Sequence, residues 1–198
     1  MCLCGEKNMQ KNLYIIAGCN GAGKTTASFT ILPEMLNCKE FVNADEIAKG
    51  LSPFQPETVS FEAGRIMLNR INELLEQEID FAFETTLSSL AYQHTIKKAQ
   101  AKGYFVTLIF FWLESIELAK ERVKIRVKQG GHSIPEDVIE RRYKRGLKNH
   151  FKIYMNLCDR TMLLQSSIQN LIFVMRKQKN FEIEILDETI YQQIIQSI

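Results

Sequence analysis

Nowhere in the 198 residues is there a run of the ~18 consecutive apolar residues that a bilayer-spanning helix needs. The amino-terminal stretch MCLCGEKNMQKN is too short and too polar for a secretion signal. A cytoplasmic protein with no membrane association is therefore expected. Cysteine is sparse and scattered: Cys2, Cys4, Cys19, Cys38 and Cys158 form an odd set, which argues against a disulfide framework and for a reducing compartment. Only Cys2 and Cys4 are close. With one intervening residue, no second pair and no clustered histidines, they read as part of a frayed tail rather than a metal site. Internal repeats, low-complexity tracts and linkers are also missing, so one domain over 1–198 is the economical reading, with 1–11 as a flexible tail.

What is present is a globular composition, 45% hydrophobic and 24% charged, in a chain long enough to bury a continuous core. Net charge is only +2, but it is unevenly spread. Between Glu117 and Lys152 there are 11 Lys and Arg against 5 Asp and Glu, which makes 117–152 a candidate anion-binding surface.

Hydrophobic patterning alternates short buried runs with amphipathic ones. Strands are expected at Leu13–Ala17, in KEFVNAD ending on Asp45, in IDFAFE ending on Glu84, in YFVTLIFFWL and in TMLLQ. Helices are expected over 24–36, through the segment after Pro56 with Ile66, Leu68, Ile71, Leu74 and Leu75 buried, and from a Ser88 or Ser89 cap to Gly103. Two more are expected over 115–128 and from a Ser133/Glu136 capping box to about Leu157. A hairpin over LIFVMRKQKNFEIEIL and a closing helix after Asp187 complete the chain. Such alternation implies right-handed crossovers and a mainly parallel sheet with helices on both faces, an α/β fold.

The apolar run YIIA leads into Gly18-Cys-Asn-Gly-Ala-Gly23-Lys24-Thr25, which satisfies G-x-x-x-x-G-K-[ST] between a strand and a helix. Glycines let the backbone curl its N–H groups toward phosphate oxygens, and the helix N-terminus adds its positive end. Gly18, Asn20, Gly21, Ala22, Gly23, Lys24, Thr25 and Thr26 are the candidate nucleotide contacts. Lys24 is expected at the β and γ phosphates and the Thr25 hydroxyl on Mg²⁺. A guanine-reading N-K-x-D is missing, which favours ATP.

Ligands of open α/β sheets bind beyond the carboxyl ends of the strands. The second strand delivers Asp45, a candidate general base or holder of a Mg²⁺ water, although it could equally cap the helix that follows. The third delivers Glu84, Thr85 and Thr86, which could accept from and donate to the hydroxyls of a sugar or polyol, or form an ordinary polar loop. In the basic segment Arg122 and Arg126 share one helix face, and Arg142 and Arg145 share another, with Gly130-Gly131-His132 between them as a hinge. A lid closing there would bring Arg126 and Arg142 to the transferring phosphate and exclude water; a solvated charged face is the plainer alternative. His132 is either a turn residue or a substrate contact.

Taken together, AGCNGAGKTT, VNADEIAKGLSP, FAFETTLSS and RVKIRVKQGGHSIPEDVIERRYKRGLKN resemble the zeta toxin family of P-loop kinases. The resemblance runs from about Leu13 to Asn149. It implies a P-loop kinase fold and, as in the best-known members, ATP- and Mg²⁺-dependent phosphorylation of the 3'-hydroxyl of the sugar in UDP-N-acetylglucosamine. By the same resemblance Lys24 and Thr25 match the loop residues, Asp45 the catalytic base, Glu84 a substrate-binding acid, and Arg126 with Arg142 the arginines acting on phosphates. An antitoxin, if there is one, is expected as a separate chain. The family's D-N-S-like segment near the last strand is QSS here, Gln165 to Ser167, and Cys19 stands where relatives often carry proline.

A nucleotide-dependent switch is the second reading, in which case the ETT pocket has no task. A nucleic-acid enzyme is the third; Tyr143, Phe151 and Tyr154 sit at core spacing rather than as a stacking platform, so nucleic acid is not the expected partner. The expected ligands are ATP and a hydroxyl-bearing phosphorylated small molecule.

Overall fold

The computed structural model describes residues 10–131, 133–167 and 171–198. Cys2, Cys4 and His132 lie outside the described residues. The chain runs β1 (Lys11–Gly18), α1 (Lys24–Thr30), β2 (Glu40–Val42), α2 (Ala44–Leu51), α3 (Ser60–Gln77), β3 (Phe81–Thr85), α4 (Tyr92–Ala101), β4 (Tyr104–Trp112), α5 (Ile116–Lys128) and α6 (Glu136–Asn149). It continues through α7 (Met155–Leu157), β5 (Arg160–Ser166), β6 (Leu171–Gln178), β7 (Glu184–Ile185) and α8 (Glu188–Gln196).

The strands make one sheet in the order β2-β3-β1-β4-β5-β6-β7. From β2 to β5 all neighbours are parallel, and β6 and β7 add an antiparallel edge. β1 lies between β3 and β4, pairing Ala17 with Thr85 on one side and with Phe110 on the other. This register brings the phosphate-loop sequence, the ETT triplet and the end of β4 to one edge of the sheet. Leu13, Ile15, Phe81, Phe83, Val106 and Leu108 are fully buried, and burying such a side chain contributes roughly 1.5–3 kcal/mol.

Several boundaries differ from the sequence expectation. β1 starts at Lys11, inside the segment expected as tail. α1 ends at Thr30 and a wider turn covers Ile31–Met35, where Pro33 has no N–H to give and Leu36 N bonds back to Ile31 O. β2 stops at Val42, so Asp45 does not end a strand but lies in the first turn of α2. On α3 the buried stripe is Ala63, Met67, Ile71, Leu74 and Leu75; Leu68, one position off that face, is 42% exposed. Neither Ser88 nor Ser89 caps α4: the Ser89 hydroxyl accepts from Ala91 N in a turn before the helix. The capping box at Ser133 does not form either, because Pro135 immediately precedes α6 and its carbonyl takes the first helical bonds.

α5 and α6 stand over the loop edge of the sheet. Their contact is polar outside, with Lys124 Nζ 2.8 Å and Lys120 Nζ 3.4 Å from Glu136. The carboxyl-terminal half of α6 is fastened from below. Tyr143 Oη donates to Leu113 O at 2.6 Å and Asn149 Nδ2 to Leu87 O at 2.9 Å. Gly146 lies so close to the end of β3 that a Cβ there would stand 2.4 Å from Thr86 O. Gly146→Ala is therefore expected to push α6 off the strand end and cost roughly 1–3 kcal/mol, read as a lower urea midpoint at unchanged m-value.

Candidate active site

The phosphate loop leaves β1 at Gly18, whose φ of +143° and approach to β4 leave no room for a side chain: a Cβ would be 2.3 Å from Phe111 O. Ala22 is buried beneath the loop. Asn20, Gly21, Gly23, Lys24, Thr25 and Thr26 border a cavity of about 220 Å³, which Asp45, Glu84, Arg122 and Arg126 close from the other side. Lys24 Nζ donates to Cys19 O at 2.9 Å and stands 3.4 Å from Glu84 Oε1. Thr25 Oγ1 donates to Glu84 Oε2 at 2.7 Å. This pair of hard oxygen groups fits Mg²⁺, which takes oxygen ligands.

Glu84 is expected, with Thr85 and Thr86, on the acceptor side. Both of its oxygens are instead engaged with the loop, and its side chain borders a second cavity of about 180 Å³ that Thr85, Thr86, Tyr92, Asp45 and Arg142 share. Asn43 adds a third partner. Its side chain caps α2, accepting from Asp45 N and Glu46 N, and its amide donates to Glu84 Oε2 at 3.0 Å. Asp45 is thus not the cap, and its carboxylate is left to the cavities. A third cavity of about 400 Å³ lies between α2 and the start of α6, with Asp45, Ser133, Ile134, Arg141 and Arg142 on its walls.

The four arginines have separate environments. Arg122 is spent on the loop, donating at long range to Gly21 O (3.4 Å) and Ser166 O (3.3 Å). Arg126 Nε and Nη2 are buried and have no partner among the described residues. Arg142 donates to Asn20 Oδ1 at 3.2 Å; burial lowers its pKa while the nearby Asp45 carboxylate opposes that shift. Arg145, one turn further along α6, is exposed. Lys120 and Lys124 of α5 are paired with Glu136 and Glu140 of α6. Gly130 and Gly131, expected as a hinge, end α5 as a left-handed cap. Gly130 has φ +89°, its N–H bonds to Val127 O, and Gly131 N bonds to Arg126 O.

Cys19 is no nucleophile, since burial raises its thiol pKa to about 11. Tyr143 and Tyr154 are buried, as their spacing suggested. Sequence reasoning missed Asn43, although an Asn directly before an amphipathic helix is itself the signature of a cap.

The zeta toxin family model matches residues 4–178. The chain belongs to the zeta toxin family. An uncharacterized protein of Haemophilus influenzae is 32% identical over 136 residues, covering 68% of this chain and 94% of that protein. Among solved structures, the AvrRxo1-ORF1:AvrRxo1-ORF2 complex with sulphate ions superposes with a TM-score of 0.74 at 16% identity over 93% of this chain. This chain spans only 63% of that one. A structure of the PezAT chromosomal toxin-antitoxin system of Streptococcus pneumoniae superposes with a TM-score of 0.67 at 16% identity, covering 98% of this chain and 89% of that one. These likenesses carry the fold, which is the P-loop kinase fold of the zeta toxin family, a mostly parallel sheet flanked by helices. No helix among the described residues is long and apolar enough to cross a membrane.

Proposed function

We propose that this zeta toxin family member is a kinase that moves the γ-phosphate of ATP to a hydroxyl of a sugar nucleotide such as UDP-N-acetylglucosamine. The observation that carries this reading is the position of Asp45, whose side chain borders the phosphate-loop cavity and both cavities beside it. A carboxylate at such a junction can accept the proton of a hydroxyl arriving from either side as its oxygen attacks phosphorus. Lys24, released from Cys19 O and Glu84, neutralises the β and γ phosphates. Arg126 and Arg142, on the two helices of the 117–152 cover, meet the charge that spreads over the transferring oxygens. Thr25 and Glu84 would hold Mg²⁺, which neutralises phosphate charge when bound. Glu84, Thr85 and Thr86 border the side where the acceptor sugar is placed. A separate antitoxin chain is proposed as partner, in keeping with the toxin-antitoxin system to which the S. pneumoniae neighbour belongs.

The test is transfer of labelled γ-phosphate from ATP with Mg²⁺ to a panel of UDP-sugars, other nucleotides and short RNA. A labelled UDP-sugar is expected, lost in Lys24→Ala and reduced ~10²- to 10⁴-fold in Asp45→Asn while ATP still binds. Tight ATP binding with full transfer by Asp45→Asn would refute the assignment of the base. Tight ATP binding with no labelled product in wild type would instead favour a nucleotide-dependent switch.

A further inference from the structure

Asn43 is 6% exposed and uses both ends of its amide. Oδ1 accepts from Asp45 N at 2.8 Å and Glu46 N at 3.4 Å. Nδ2 donates to Glu84 Oε2 at 3.0 Å and, at the limit of a hydrogen bond, to Thr25 Oγ1 at 3.5 Å. The orientation of the amide is forced, because two backbone donors lie on one side and a carboxylate on the other. The same side chain therefore joins the first turn of α2, which carries Asp45, to the end of β3 and to the phosphate loop.

Capping alone does not require this residue. Ser, Thr and Asp cap helices about as well. A serine or threonine hydroxyl is too short to span both partners, and an aspartate would set a second carboxylate against Glu84. Among cap formers only asparagine carries its acceptor and its donors on two separate atoms, one turned to the helix and one to Glu84.

We propose that Asn43 is a positioning residue that ties the base-bearing helix to the nucleotide-holding loop, so that nucleotide binding sets the place of Asp45. This rests on the kinase reading for its consequence in catalysis, but the coupling itself is a separate property. Near-attack geometry tolerates errors well under 1 Å, so an untethered α2 would cost rate without costing nucleotide affinity.

The informative variant is Asn43→Ser, which keeps the cap and removes the bridge. In wild type, ATP with Mg²⁺ is expected to slow hydrogen exchange at the amides of Asp45, Glu46 and Ile47. In Asn43→Ser, ATP is expected to bind with a Kd within about threefold of wild type and to leave those amides at their nucleotide-free rates, while kcat falls ~30-fold or more. In an Asp45→Asn background the same replacement is expected to cost no further rate. Equal slowing of exchange in both proteins, or loss of ATP binding in Asn43→Ser, would overturn the proposal, the second because it would mark a merely structural role. Should wild type transfer phosphate to nothing, the kinase reading falls and the exchange comparison still decides this one.

Discussion

Arg126→Ala is expected to lower kcat by ~10³-fold or more and to leave the KM for ATP within a few-fold. A guanidinium is rarely buried without partners, because each lost hydrogen bond to water must be replaced. Arg126 holds Nε and Nη2 in that condition at the wall of the phosphate-loop cavity. On the kinase reading, a shift of the side chain into the cavity would let an anionic ligand with several acceptor oxygens satisfy them, and most fully when charge has spread over the oxygens of the moving phosphoryl group. Arg122, one helical turn earlier, behaves differently because its bonds go to Gly21 O and the end of β5. Arg122→Ala is expected to loosen the loop and raise the KM for ATP, with a smaller loss in kcat. Gly131→Ala offers an independent check. A Cβ there would stand 2.8 Å from Arg126 Cγ and 2.9 Å from Arg126 O, so the cap must shift and carry the guanidinium with it. Steady-state kinetics on the three variants decide the matter: an unchanged kcat in Arg126→Ala would remove that residue from the transferring site.

The features legible in the sequence were those set by local chemistry. A strand, a glycine loop and Lys24-Thr25 in the right order specify the phosphate cavity without reference to anything distant. The apolar run at Tyr104–Trp112 could only be an interior strand, and it is. Glu84 does lie in β3, at the edge where parallel sheets present ligands, but Asp45 reaches that edge from the first turn of α2 and not from the end of β2. What could not be read was which side chain each charged group would meet. The distinction between Arg122 and Arg126, four residues apart on one face, depends on Ser166 arriving from the far end of the chain. The engagement of Glu84 with Lys24 and Thr25 is equally non-local, set by the pairing of β1 with β3. The helix starts at Tyr92 and Glu136 were misplaced for a different reason. Serines compete for several turn and cap geometries with similar energies, and Pro135 overrides the box by taking position directly before the first turn.

Acid stability is expected to depend on His150, which the sequence did not single out. It opens the wide turn His150–Tyr154 after α6 and is fully buried, with its ring centroid 4.7 Å from that of Phe110 and 4.9 Å from that of Phe151. Neither ring nitrogen has a hydrogen-bond partner among the described residues. Burial holds the imidazole pKa down at about 3, so the folded protein keeps the ring neutral where the unfolded chain protonates it. The folded pKa is depressed, so the unfolded state binds more protons between about pH 6.5 and 3. Over that interval stability drops by about 1.4 kcal/mol for each unit by which the pH is lowered. Between pH 7 and pH 5 wild type is therefore expected to lose ~2 kcal/mol more than His150→Phe, in which the titrating group is gone and an aromatic ring still faces Phe110. Urea unfolding at a series of pH values measures the difference. The comparison rests on the slope, so a constant penalty from fitting the larger ring does not disturb it. Parallel pH profiles for the two proteins would mean that the folded state takes up the proton after all.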